Sequence, residues 1–139
     1  MPNTFHLSIL TPERTFFEGE AESLTVQAVD GELGVMAGHA PEAISLVEGT
    51  LRLTADGQSR WAAASAGFAT ILPDSVFVIL QTVEWPEEID VRRAERSRME
   101  AEERLRQQKS LQEYHLARSK LARAMVRLRV TGQSRINNE

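Results

Sequence analysis

Between Asp90 and Thr131 the chain contains neither glycine nor proline, whereas residues 1–86 hold seven of its eight glycines and all five prolines. Both residue types interrupt helices. A boundary near Trp85-Pro86 therefore divides the 139 residues into two units of different secondary structure, which we set at 1–84 and 85–139. Charge changes at the same place. Residues 1–83 carry ten acidic and three basic side chains, a net of −7, while residues 84–139 carry thirteen basic and ten acidic ones, a net of +3. The last part, 104–139, has nine basic side chains against two acidic, a net of +7 within a chain of net −4. A basic terminal third predicts an anionic partner: phosphate, nucleic acid, a lipid surface or an acidic protein loop.

The first unit reads as strands. Phe5, Leu7 and Ile9 alternate with His6, Ser8 and Leu10, until Thr11-Pro12-Glu13 breaks the run. Leu24, Val26 and Ala28 alternate before a turn at Asp30-Gly31. Leu51 and Leu53 lead into Asp56-Gly57, a favoured two-residue hairpin loop. An apolar run of small residues spans 61–72, and Val76-Phe77-Val78-Ile79-Leu80 fits a buried strand. Short strands at this spacing predict a sandwich or barrel.

The second unit reads as two antiparallel helices. Asp90 is the expected N-cap of the first, with Ala94, Ser97, Ala101 and Leu105 on one face. Gln107-Gln108-Lys109 reads as a short connection, and Ser110-Leu111-Gln112-Glu113 has the capping-box spacing. Tyr114, Ala117, Leu121, Ala124 and Leu128 then share a face, and a polar tail follows Gly132. A seam of alanines is thin. A buried methyl contributes about 0.8 kcal/mol, whereas ordering one residue's backbone costs roughly 1–2 kcal/mol. Such a hairpin needs the sandwich or a ligand to hold it.

Several chemistries find no support. Without cysteine there is no disulfide, thiolate metal site or cysteine nucleophile. His6, His39 and His115 are too scattered for a zinc site. The glycine-rich stretch from Asp30 to Pro41 lacks the Gly-Lys-Ser/Thr of a phosphate loop, so its glycines are read as turn residues. Ser65 has no Gly-x-Ser-x-Gly context. A small enzyme built on His39 has no substrate to suggest it. A nucleic-acid adaptor would bring aromatics to its basic helix, and residues 104–139 hold only Tyr114. No apolar run is long enough to span a membrane and no signal peptide is visible, so a soluble intracellular protein is expected.

One cluster does carry chemistry. Glu84, Asp90 and Arg93 surround the start of the first helix, whose free N–H groups favour anions. Arg123 and Arg127, four apart, share a face of the second helix, and an antiparallel hairpin brings that face near the first helix start. Acidic acceptors for a base or ribose, with arginines for phosphates, make a nucleotide site; an interhelical salt-bridge seam needs the same residues.

Leu7-Ser8-Ile9-Leu10-Thr11-Pro12-Glu13, Gly31-Glu32-Leu33-Gly34-Val35, Gly38-His39-Ala40-Pro41, Ser65-Ala66-Gly67-Phe68 and Ile89-Asp90-Val91-Arg92-Arg93-Ala94 stand in the order and spacing of a known family. Over residues 5–130 the chain resembles the epsilon subunit of bacterial F-type ATP synthase. The resemblance implies an α+β protein, with an N-terminal ten-stranded β-sandwich followed by a C-terminal antiparallel two-helix hairpin. It implies a non-catalytic subunit of the central stalk, bound to the gamma subunit and the c-ring. Glu32 and His39 match its ring-facing loop. The hairpin would be regulatory, extending into the alpha/beta catalytic head to inhibit ATP hydrolysis. The place implied is peripheral, on the cytoplasmic face of the bacterial cell membrane, reached only through the complex and without nucleic acid.

The resemblance also implies ATP as a regulatory ligand, not hydrolysed and not a required cofactor. Glu84, Ile89, Asp90, Arg93, Ala94, Arg123 and Arg127 match the positions that hold it. Three residues depart from the family pattern. Glu100 stands where an ATP-binding relative carries arginine, Glu42 where leucine is usual, and Ala66 where glycine is usual. A carboxylate at 100 would repel phosphate.

Overall fold

A computed structural model describes residues 3–107 and 110–138, with side chains as far as Gly132. Ten strands come first: β1 (Phe5–Leu10), β2 (Thr15–Ala21), β3 (Ser23–Ala28), β4 (Gly31–Met36), β5 (Glu42–Leu46), β6 (Gly49–Ala55), β7 (Gln58–Ala64), β8 (Gly67–Ile71), β9 (Ser75–Leu80) and β10 (Val83–Glu84). A single 3-10 turn, Pro86–Glu88, leads into α1 (Val91–Gln107) and α2 (Leu111–Asn138).

Hydrogen bonding runs in the order β10-β7-β6-β3-β5-β8-β9-β1-β2, with β4 paired to β3 off this path. The ladder turns its corner at β3. Its first half, Ser23–Thr25, pairs with β6, whereas Ala28 alone reaches Leu46 of β5. The network folds there into two layers. Alternation decides what lies between them: Phe5, Leu7 and Ile9, then Leu24 and Val26, Leu51 and Leu53, and Val76, Val78 and Leu80 are all buried in one core. Each such side chain contributes about 1.5–3 kcal/mol when fully buried. β1 and β9 are parallel neighbours, and the two-residue loop Asp56-Gly57 joins β6 to β7 with φ of 52° and 74°. Two positive φ values are what a type I′ hairpin requires.

Three local readings are corrected. The strand expected to be buried, β9, is buried on one face only, because Phe77 is 43% and Ile79 56% exposed while their neighbours are inside. The glycine-rich stretch is not all turn, since Gly31–Met36 is strand β4 and only Gly31 and Gly38 take positive φ there. The run 61–72 breaks at Ser65-Ala66, where buried Ser65 Oγ accepts from the backbone N–H of Gln81 and Thr82, each at 3.0 Å. That hydroxyl is a structural acceptor.

Both helix starts follow their caps. Asp90 Oδ1 accepts from Arg93 N–H at 3.1 Å, and Ser110 Oγ accepts from Glu113 N–H at 3.1 Å. Of the expected connection, Gln107 belongs to α1, and residues 108 and 109 lie outside the described residues. α2 does not stop at Gly132 but keeps a helical backbone to Asn138. A glycine inside a helix costs about 1 kcal/mol relative to alanine, and no proline follows to end the helix.

Candidate functional site

The seam between the helices is built from small side chains. Ala94 and Ala101 of α1 and Ala117 and Ala124 of α2 are each no more than 2% exposed, flanked by half-buried Ser97, Leu105, Tyr114, Leu121 and Leu128. Alanine at these positions lets the helix axes come close, and leaves longer side chains to line the grooves beside the seam.

A second face of α2 rests on the sandwich. Val126 and Val130 pack with Ile89 and Ala63 in a small core of their own, with Trp61 against its edge. Ile89 is thus a packing residue in this geometry. Beside this core, Arg127 Nε donates to Glu84 Oε1 at 2.6 Å, with both side chains about one-third exposed. This charge-assisted bond joins the last strand of the sandwich to the second helix.

The linker between the units is held separately. Arg14 forks onto Glu88, with Nη2 donating to Oε1 at 2.8 Å and Nη1 2.7 Å from Oε2. The Arg14 hydrogen bond, the first cause, holds the Glu88 carboxyl below the usual carboxylate range; the Trp85 N–H and the arginine charge act in the same direction, and burial opposes them. Trp85 stacks on Phe16 with ring centres 4.1 Å apart, and the Arg60 guanidinium lies 3.6 Å from the Trp85 ring centre. Cation–π contacts of this kind contribute about 0.5–1 kcal/mol at exposed sites.

Between the helices lies an open cavity of about 200 Å³. Ser97, Glu100, Ala101 and Arg104 of α1 line it, together with Lys120, Arg123 and Arg127 of α2. Four cations face one carboxylate. Among the described residues, Arg104, Lys120 and Arg123 have no ion-pair partner, and neither has Glu100. Such a cavity can hold a multiply charged anion.

The predicted nucleotide residues are therefore only partly gathered. Glu84, Arg123 and Arg127 meet in a small crevice with Ala63, Ser65 and Val126, and the two arginines continue into the larger cavity. Asp90 is used as the cap of α1, Ala94 is closed into the seam, and the exposed Arg93 lines neither space. Arg104 and Lys120 were not singled out by sequence reasoning. Spacing could have found them: Lys120, Arg123 and Arg127 follow at three and four, and Ser97, Glu100 and Arg104 do the same.

Glu32 and His39 lie at opposite ends of β4, the first exposed within the strand and the second in the turn beyond it. They do not form one loop. His39 N–H donates to Met36 O at 3.2 Å, and its Nδ1 is 2.8 Å from Ala40 O. Elsewhere on the outer surface, Phe68 sits directly opposite Ile79 and Thr70 opposite Phe77 across β8 and β9. Phe68 is 65% exposed, so these strands present an apolar face. No helix is long and apolar enough to cross a membrane, among the described residues.

Residues 4–86 match the beta-sandwich domain of the ATP synthase Delta/Epsilon chain, and residues 87–132 its long alpha-helix domain. An ATP synthase epsilon chain of Ruminiclostridium cellulolyticum is 46% identical, over 95% of this chain and 98% of that one. Another, of Caldanaerobacter subterraneus subsp. tengcongensis, is 42% identical over 96% and 97%. In fold, the chain is similar to one in the OSCP/F1/c-ring assembly of the Euglena gracilis mitochondrial ATP synthase, with TM-score 0.81, 19% identity, and coverage of 98% of this chain and 83% of that one. With both halves matched in order and identity this high along nearly the whole length, the chain belongs to the ATP synthase epsilon-chain family.

Proposed function

We propose that this chain is a non-catalytic central-stalk subunit of an F-type ATP synthase, and that its hairpin regulates ATP hydrolysis by leaving the sandwich. The sandwich binds the gamma subunit and the c-ring, with Glu32 and His39 toward the ring and the apolar face of Phe68, Phe77 and Ile79 available to a protein partner. The released hairpin inserts its basic second helix into the alpha/beta head. The subunit is peripheral, at the cytoplasmic face of the membrane, and reaches the membrane only through the complex.

The observation that carries the regulatory reading is the modest size of the hairpin's seat. Ala63, Ile89, Val126 and Val130 form a core separate from that of the sandwich, and one ion pair, Glu84 to Arg127, stands beside it. An element held this way responds to small free energies. ATP acts as an effector that favours the docked hairpin, with Glu84, Arg123 and Arg127, the members of the predicted set that line one crevice, as the residues of its site. A ligand at 100 times its dissociation constant stabilises the bound form by about 2.7 kcal/mol, enough to move such an equilibrium.

The test is to purify the membrane ATPase with the tagged full chain and with a chain ending after Glu88. Co-purification of both, with faster ATP hydrolysis in the shortened form, is the expected result. Failure of the full chain to co-purify would remove the stalk reading. Equal hydrolysis rates would leave the stalk role and remove inhibition.

A further inference from the structure

Trp85 and Ile89 stand four residues apart and belong to different cores. Trp85 packs against the core of the sandwich, whereas Ile89 packs with Ala63, Val126 and Val130 in the seat of the hairpin. Between them the chain is tied to the sandwich at several points. The Trp85 ring stacks on Phe16 of β2 and takes the Arg60 guanidinium of β7 at 3.6 Å from its centre. Arg60 also reaches Glu87, at 3.6 Å. Arg14, just before β2, forks onto Glu88 and donates to Val83 O at 3.2 Å, which fastens the turn to the last strand. The turn is closed within itself as well. Glu88 N–H donates to Trp85 O at 3.0 Å, Ile89 N–H to Pro86 O at 3.1 Å, and Trp85 N–H to Glu88 Oε1 at 2.9 Å. α2 passes beside this turn, yet among the described residues no hydrogen bond or ion pair joins 85–88 to it.

Beyond Glu88 the ties point the other way. Ile89 is extended, with φ −88° and ψ 126°. Asp90 serves α1, where its Oδ1 caps Arg93 N–H and its carbonyl accepts from Ala94 N–H at 3.0 Å.

We infer that residues 85–88 are a clamp that stays on the sandwich when the hairpin leaves, and that Ile89-Asp90 is the pivot. Arg14, Phe16 and Arg60 hold the clamp. The inference rests on the reading that the hairpin leaves its seat, and adds where the chain bends. The helices swing about a fixed root, uncovering Ala63 and Trp61 while Trp85 keeps its place.

The two tryptophans of the chain mark the two places, Trp85 the clamp and Trp61 the edge of the seat. Their indole N–H signals in magnetic resonance spectra of the full chain test the inference, assigned with Trp61→Phe and Trp85→Phe. Val130→Asp puts a carboxylate into the apolar seat and forces it open. The Trp61 signal should then shift toward that of free indole, and the Trp85 signal should stay at its wild-type position. Arg14→Gln is the converse, and should shift Trp85 while Trp61 stays.

Either variant shifting both signals together would overturn the clamp, because linker and hairpin would then move as one. A Trp85 signal indifferent to Arg14→Gln would overturn it too. Should Val130→Asp leave Trp61 unmoved, the seat has held, and the Arg14→Gln arm decides alone. These shifts locate the pivot whether or not release slows hydrolysis. Equal hydrolysis rates in the purified ATPase would remove inhibition and leave the clamp standing.

Discussion

Arg127 and Glu84 lie 43 positions apart in sequence, and their 2.6 Å contact is the polar bond between α2 and the last strand of the sandwich. Both side chains are about one-third exposed. Solvent therefore screens the pair less than it would an open surface pair.

Arg127→Gln or Glu84→Gln should loosen the hairpin by about 1–2 kcal/mol, since each leaves the other charge without its partner. Amide exchange read peptide by peptide should then speed up roughly 5- to 30-fold in α2. The strands should keep their protection. Unchanged exchange in α2 would mean that the pair contributes nothing to docking.

Val130 is fully buried in the small core with Ala63, Ile89 and Val126. Val130→Ala removes two methyl groups and leaves a gap, at a cost of about 1.5–2.5 kcal/mol. Because this core belongs to the seat alone, the loss should appear in the helices. A chemical-denaturation curve followed by far-ultraviolet circular dichroism should show an earlier helical transition, with the sandwich melting as before. A uniform shift of the whole transition would mean that hairpin and sandwich unfold as one unit.

What the sequence made legible follows from how local each signal is. The caps at Asp90 and Ser110, the Asp56-Gly57 hairpin and the alternation of Phe5, Leu7 and Ile9 depend on neighbours within a few residues, and the structure has all of them. The alanine seam was legible for the same reason. The seat of α2 was not, because Val126 and Val130 make only a single i,i+4 pair, and what covers them, Ile89 and β7, is distant in sequence. Phe77 and Ile79 misled in the opposite sense. A continuous apolar run suggests burial on both sides, but β9 has a core on one side only. At the site, Arg123 and Arg127 were found through their spacing. Arg104 and Lys120 were missed because exposed helix cations are ordinary until a facing helix brings them together.

Gly67 begins β8 where the chain passes close to β9. A Cβ there would collide with the Ile79 carbonyl oxygen and would crowd Leu80. Backbone cannot yield as a side-chain tip can. Gly67→Ala should therefore destabilise the sandwich by about 1–3 kcal/mol, seen as a lower thermal midpoint, whereas Gly34→Ala, with open space around its Cβ, should change it little. Equal midpoints for the two variants would refute the close approach.

The linker supplies the acid-side prediction. Glu88 accepts from Arg14 and from Trp85 N–H, and the Arg14 bond leads the causes that lower its carboxyl from 4.5. A carboxyl lowered on folding adds stability at pH values above its unfolded value. That contribution is lost as the pH falls through the folded value, when both states hold the proton. The pair is partly exposed, so its worth is about 0.5 kcal/mol. At pH 7 wild type should be more stable than Glu88→Gln by about that amount, and the gap should close as the solution is acidified below 4.5. Urea midpoints of both proteins across that range check it. A gap that stays constant into acid would show that Glu88 supports the linker by shape and not by charge.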